Sequence, residues 1–392
     1  MTTAHTESPD AGAPVLEAIG YAPGAEEVAA LLEERYQGPL RLPQAVKLYY
    51  RVKPLLPRRL QIAMRRAYGR RVRERHEVRG HFPHWPIEPV LVERFEQHLR
   101  ERIRRSGADA VPFVGLWPDN HRFAYILTHD VEGERGVANV ERVLEVERRH
   151  GMVSSWNFVA EDYAVDEAVL EAVRSAGGEV GLHGLTHDGR LFESRAAFER
   201  QLPEIRRRMR AWGVEGFRSP SMRRDAAWIP ELQASYDSSF PDTDPFEPQP
   251  GGCCSILPYF LGDTVELPIT LVQDHTLFEI LCEDDIALWR RKVRWIAQHC
   301  GLVTALVHPD YLLTPERLAR YDDLLSFVEH LGGGWHALPR DVAAWWRRRA
   351  ALDAALERGE VVDATRLAAA SASISWAYER DGAIVIDPGG QR

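Results

Sequence analysis

The sequence predicts an α/β fold organised on a parallel sheet, either doubly wound or closed as a barrel. Two observations carry that expectation. From Phe123 onward, short runs rich in strand formers alternate with helical patterns, and repeated strand–helix units build parallel sheets. The carboxyl ends of four such runs bear ionisable residues: Asp130 with Glu132, then His183, Arg218 and His308. In parallel α/β architectures that end of the sheet forms the functional rim.

Taken in order, residues 1–15 are small, polar and proline-containing, as in a loose tail. Apolar residues recur at helical spacing from Ala25 to Tyr36. A basic segment follows, with twelve Lys/Arg against Glu74 and Glu77 between Lys47 and Arg79. After Pro57, the residues Leu60, Ala63, Met64, Ala67 and Tyr68 share one helical face and arginines occupy the other. Such a helix can lie on an anionic membrane or dock on the acidic remainder of the protein. Phe82–Pro89 is too proline-rich for helix and reads as an extended connector, followed by a helix near Val90–Arg105.

The strands expected in the regular region are Phe123–Thr128, Ser154–Val159, Glu179–His183, Gly216–Ser219, Ser235–Ser238, Thr264–Thr270, Val303–His308 and Trp335–Pro339. Helical patterns cover Val137–Arg149, Ser194–Trp212 and Asp285–Cys300, each stopped by glycine, and another opens at Thr314-Pro315. Pro241–Pro258 is a proline- and glycine-rich loop long enough to belong to a binding site. After a helix at Ala343–Glu357, two alternating strands flank Arg380-Asp381-Gly382, a hairpin signal. The organisation expected is a mostly helical N-terminal extension over 1–120, an α/β domain over 121–346, and a helix plus hairpin tail over 347–392.

Composition excludes several classes. A 45% hydrophobic share against 27% charged residues argues against general disorder, and a formal charge of −9 gives no reason to expect nucleic-acid binding. The four cysteines lack zinc-finger spacing and form no dense disulfide framework, so a reduced compartment is expected. The N-terminus lacks a signal-peptide core, and no apolar run approaches the ~20 residues of a membrane span. The reading is cytoplasmic, with peripheral contact to the inner membrane face through residues 47–79 as an added expectation.

The chemistry concentrates at F-A-Y-I-L-T-H-D-V-E, Phe123–Glu132. If the strand persists, Asp130 and Glu132 face one side while His129 and Val131 face the other. Two carboxylates on one face repel, and a cation is the simplest compensation. His183 and His187 are four apart in a glycine-containing stretch (Gly181, Gly184, Gly189), a spacing at which both imidazoles reach one ion. With a carboxylate they make a two-histidine, one-carboxylate set with open positions, suited to hydrolytic zinc and equally to non-haem iron. Cys253-Cys254 either line the pocket or are buried thiols. Gln273, Asp274 and His275 follow another strand and are candidates to touch substrate, and Trp156, Phe240, Phe246 and Tyr311 are candidates to stack on a ring of the substrate.

The order T-H-D-V-E, H-x-x-x-H, F-R-S-P-S, A-L-V-H resembles the polysaccharide deacetylase (NodB-homology, carbohydrate esterase family 4-like) family over roughly Phe123–Trp346, about 57% of the chain. That resemblance implies a distorted (β/α)7-8 barrel and a metal-dependent hydrolase that removes acyl groups from N-acylated amino sugars. The sugar would sit in a polysaccharide, a lipid-linked glycan or a sugar nucleotide. It also implies Asp130 as general base, His183 and His187 as metal ligands, Arg218 as the residue that holds the base, and His308 as general acid. Zn2+ is the first metal implied, with Fe2+, Co2+ and Ni2+ also compatible. Three positions depart from the pattern. Val131 stands where a second aspartate usually binds metal, which passes that role to Glu132. Met222 stands where glycine is usual, and Asp237, Asp242 and Asp244 all remain candidates to orient His308. The rival expectations are a hydrolase of a non-sugar amide or ureide on the same fold, and a catalytically silent glycan-binding protein.

Overall fold

The structure, a computed structural model, describes residues 26–38, 57–357 and 364–388. The tail expected over 1–15 and the first part of the basic segment, 47–56, lie outside the described residues.

Among the described residues three helices come first: α1 (Glu26–Leu32), α2 (Arg58–Arg73) and α3 (Val90–Ser106). Then come β1 (Ala110–Val114), β2 (Phe123–Val131), α4 (Glu134–Arg149), β3 (Ser155–Phe158), α5 (Glu167–Ser175), β4 (Glu179–Leu182) and α6 (Arg195–Trp212). The strands β5 (Gly216–Phe217), β6 (Tyr236–Asp237), β7 (Tyr259–Leu261) and β8 (Thr264–Glu266) are short. They lead to α7 (Ala287–Gln298), β9 (Leu302–Val307), α8 (Pro315–Leu331), β10 (Gly334–His336) and α9 (Pro339–Glu357). A short α10 (Ala364–Ala369) precedes β11 (Ile374–Arg380) and β12 (Ala383–Asp387).

The long strand β2 is the axis of the sheet. It pairs in parallel with β9 on one edge, and with β10 and then β3 along the other. From β3 the parallel sheet continues through β4, β5, β6 and β8, with β7 antiparallel at the end. The sheet then curls back on itself. Beyond β8, the Leu271 amide donates to the Thr304 carbonyl at 3.2 Å. The Thr270 hydroxyl donates to the Leu302 carbonyl at 2.9 Å and accepts from the Thr304 amide at 2.8 Å. The architecture is therefore the expected distorted (β/α) barrel, its last seam made partly by a side chain. All nine residues of β2 are buried, as a parallel strand covered on both faces requires.

The C-terminal hairpin forms as expected but does not stand alone. β11 also pairs antiparallel with β1, in register from Ala110↔Tyr378 to Val114↔Ile374. β1 had no strand signal because Pro112 interrupts it. Proline is admitted at a sheet edge, which is where β1 lies. Buried Arg349 of α9 ties this small sheet down, donating to the Val114 carbonyl at 2.8 Å and the Gly115 carbonyl at 3.1 Å.

The N-terminal segments build the walls above the barrel rim. α2 docks through its arginine-bearing side: Arg66 Nε donates to the Glu279 carbonyl at 2.9 Å, and Arg73 pairs with Glu283 at 2.6 Å. Gly69 sits at the closest approach, where an added β-carbon would come within 2.6 Å of Ile280. Next to α1, Glu34 meets Arg224 in a bidentate ion pair at 2.5 and 2.6 Å, both side chains buried. Arg224 also exchanges hydrogen bonds with Gln249 of the Pro241–Pro258 loop, so this pair fixes the loop beside the rim. Removing one partner leaves an uncompensated charge out of water. Glu34→Ala should therefore lower unfolding free energy by about 3–5 kcal/mol, read as a fall in the denaturation midpoint; an unchanged midpoint would contradict the burial of the pair.

Candidate metal and acid–base centre

The tip of β2 keeps its alternation to the end. Val131 turns outward into the apolar layer that includes Trp156 and Phe158. His129 also turns outward and is satisfied structurally, its Nδ1 2.9 Å from the Val307 carbonyl and its Nε2 2.7 Å from Glu147. Thr128, Asp130 and Glu132 turn to the opposite face: Thr128 and Asp130 share Arg218 as a donor, and Asp130 and Glu132 line a cavity of about 640 Å³ at the barrel mouth.

Asp130 is fully buried, and its two oxygens are treated unequally. Oδ1 accepts from Asn157 Nδ2 at 2.9 Å and Arg218 at 3.2 Å. Oδ2 accepts neither and lies 3.7 Å from His183 Nε2. Arg218 is itself fixed by the Thr128 hydroxyl and by the carbonyl and hydroxyl of Ser238, at 2.7–2.8 Å. Burial pushes the Asp130 carboxyl up, but Arg218 first and the histidines next outweigh it, so it sits below its ordinary value and stays ionised. Gly181 makes the Asn157 contact reachable, because a β-carbon there would overlap the Asn157 amide.

Glu132 follows the strand end, and its backbone is clamped from β9's loop. Asp310 accepts from the amides of Glu132 and Gly136, both at 3.0 Å, and a side chain at Gly136 would collide with that carboxylate. His183 follows β4 and donates Nδ1–H to the Arg218 carbonyl at 3.0 Å. A carbonyl only accepts, so the lone pair of His183 is on Nε2, toward the cavity. Burial pushes its pKa down to about 4, keeping the imidazole neutral. His187 is held through its amide by Asp162 at 2.6 Å. Its Nε2 lies buried 3.0 Å from Glu132 Oε1 yet has no hydrogen bond of acceptable geometry. One ligand atom from each of Glu132, His183 and His187 lies within 4.8 Å of the others. A neutral imidazole with its lone pair inward, a buried imidazole nitrogen lacking a well-formed hydrogen bond and an ionised carboxylate fit a divalent cation.

Opposite them stands His308, after β9. Asp274 grips it twice, accepting from its amide at 2.9 Å and from its Nδ1–H at 2.6 Å. That leaves Nε2 pointing inward, 3.7 Å from Glu132 Oε1. Burial would lower its pKa, but the Asp274 charge and hydrogen bond push it up to about 10.

All six expected site residues thus meet at one rim. The acid that orients His308 is Asp274 and none of the three candidates considered from sequence. Asp237 is turned to Ser239, Asp242 pairs with Lys292 at 2.7 Å, and Asp244 accepts from the Phe246 amide. Gln273 and His275 line the cavity, as does Tyr311, whereas Trp156, Phe240 and Phe246 are buried in the core and offer no face to a sugar. Cys253 and Cys254 are buried away from the cavity lining. Met222 adopts φ +54°, a left-handed conformation that glycine takes without penalty. Here it costs about 1–2 kcal/mol, and its side chain is buried with Ile269 and Leu306.

No protein-family model matches the sequence, and no curated protein matches it. Solved structures do resemble the fold. A Mycobacterium smegmatis protein classed as a polysaccharide deacetylase is 20% identical, with TM-score 0.49, covering 61% of this chain and 96% of its own. A Pseudomonas aeruginosa PAO1 protein classed likewise is 17% identical, with TM-score 0.48 and coverages of 63% and 97%. Puue allantoinase is 16% identical, with TM-score 0.46 and coverages of 59% and 92%.

Because Asp274 grips both the amide and the ring of His308, and its other contact is only the backbone amide of His275, its effect on turnover should pass through the His308 ring. Asp274→Ala and His308→Ala should each lower kcat by about 10²–10⁴, and the double variant should be no slower than His308→Ala alone. Additive losses in this cycle would separate the two residues.

Proposed function

We propose that the chain is a metal-dependent hydrolase that removes an N-acyl group from an amino sugar. The observation that carries this reading is the arrangement around Asp130. One carboxylate oxygen is locked by Asn157 and Arg218, and the other is free beside a two-histidine, one-carboxylate set, with His308 across the gap.

An amide is a poor electrophile with a poor leaving group, so its hydrolysis needs an activated water, a stabilised oxyanion and a proton for the amine. Glu132, His183 and His187 would hold the cation, which when bound lowers the pKa of water and polarises the acyl carbonyl. Asp130 would take a proton from the attacking water at Oδ2. Its Oδ1 hydrogen bonds keep the carboxylate ionised and stop it from rotating away. His308 delivers a proton from Nε2 to the departing amine, and Asp274 holds the ring in the tautomer and orientation that this requires. The cavity carries guanidiniums from Arg65, Arg190 and Arg223 besides its acids, which suits a polar, multiply hydroxylated or anionic substrate better than an apolar amide. The completeness of the set favours catalysis over a silent role, since a binding protein has no use for a base with one fixed and one free oxygen.

Asp130→Asn keeps shape and removes the base. It should retain metal stoichiometry while losing acyl release from N-acetylated amino-sugar oligomers by at least about 10²-fold; wild-type turnover would remove Asp130 from the mechanism. Glu132→Ala should lose tight metal binding together with activity, and excess metal should restore part of both, whereas Glu132→Asp should do less harm. Stoichiometric metal and full turnover in Glu132→Ala would show that another carboxylate serves.

A further inference from the structure

Helix α2 is amphipathic, yet it is mounted the opposite way from an ordinary surface helix. Toward the barrel it presents Arg65, Arg66, Gly69 and Arg73, with Val72 buried among them. Away from it, at 100° per residue, run Leu60, Met64 and Tyr68, which are 46%, 42% and 53% exposed. Ala63 and Ala67 share that exposed side. The physical reason for the inversion lies in the receiving surface. The turn at His275–Ile280 and Glu283 offers ring nitrogen, carbonyl and carboxylate acceptors, and the close seat of Gly69 on Ile280 leaves no room for the bulky stripe. A stripe of three large apolar side chains left in water is what an ordinary monomeric surface avoids.

The charge around that stripe identifies what covers it. Arg70 and Arg71 are exposed on the outer part of the helix and form no ion pair among the described residues. Apolar anchors with unpaired arginines at the same level are the chemistry of a bilayer surface carrying anionic headgroups. No described helix is long and apolar enough to cross a membrane, so the contact is peripheral. The same helix carries Arg65, which lines the cavity of the candidate active site and reaches His275 at 3.4 Å.

We infer that the outer face of α2 seats the protein on an anionic bilayer and sets the cavity mouth beside it, so that the substrate is an amino sugar anchored in the membrane by a lipid. The substrate part rests on the hydrolase reading above; the binding part does not. Vesicle flotation tests it, using vesicles of equal phosphatidylglycerol and phosphatidylcholine against phosphatidylcholine alone. Wild-type protein should float with the anionic vesicles at low salt, less so at high salt, and not with the neutral ones. Leu60→Asp/Met64→Asp/Tyr68→Asp should reduce flotation at least about tenfold. Arg70→Glu/Arg71→Glu should abolish its salt-sensitive part. Both variants should keep wild-type circular dichroism and wild-type turnover of a soluble N-acetylated oligomer, because none of the five residues touches the cavity. Wild-type protein that stays at the bottom of the gradient overturns the inference. So does a triple variant that floats as well as wild type, or a wild-type dimer in light scattering that the triple variant converts to monomer, since a second copy would then cover the face. Failure of wild-type protein to hydrolyse the soluble oligomer would sink the hydrolase reading and leave the flotation result standing.

Discussion

The site depends on one electrostatic constraint: two carboxylates sit one residue apart on the same face at the end of a buried strand. Burying a charge costs several kcal/mol unless it is paired and hydrogen-bonded. Asp130 is matched by Arg218, whose guanidinium is itself spent on Thr128 and Ser238, so the pair cannot drift. Among the described residues Glu132 forms no ion pair with an arginine, and it faces three imidazoles, those of His183, His187 and His308. That asymmetry divides the labour. In the proposed mechanism one acid, matched by Arg218, would serve as the base, and the other, beside His183 and His187, would share the cation.

Four strands besides β2 contribute to this balance from their carboxyl ends, which is why the sheet order matters. β3 supplies Asn157, β4 leads to His183, β5 leads to Arg218 and β9 leads to His308. The flanking loops lock those groups rather than add chemistry. Asp310 holds the turn into α4 by two amides, and Asp162 holds the His187 backbone. The N-terminal segments belong to this construction too, since Glu34 steadies the Pro241–Pro258 loop through Arg224 and Arg65 reaches the cavity wall.

What could be read in advance was what repeats with a period. The alternation along β2 sent Glu132 inward and Val131 outward, and the four-residue spacing of His183 and His187 survived folding because the intervening loop turns tightly at Gly184 (φ +71°). What could not be read was tertiary. Asp274 lies eight residues past the end of β8, after an irregular stretch, and only barrel closure brings it to His308. Asn157 looked like one more polar residue in a strand until Gly181 opened a path to Asp130. The hydrophobic pattern of α2 was plain, but its orientation depended on acceptors at 275–283, far along the chain.

The claim on which all of this rests is that one divalent ion, held by Glu132, His183 and His187, is required for amide cleavage. The direct measurement is metal content and acetate release from an N-acetylated amino-sugar oligomer, made on chelator-stripped protein and after reconstitution. The account predicts no release from the stripped protein, and release that rises with bound metal and saturates at one ion per chain. Full turnover by the stripped protein, or one tightly bound ion with no amide cleaved, would contradict it.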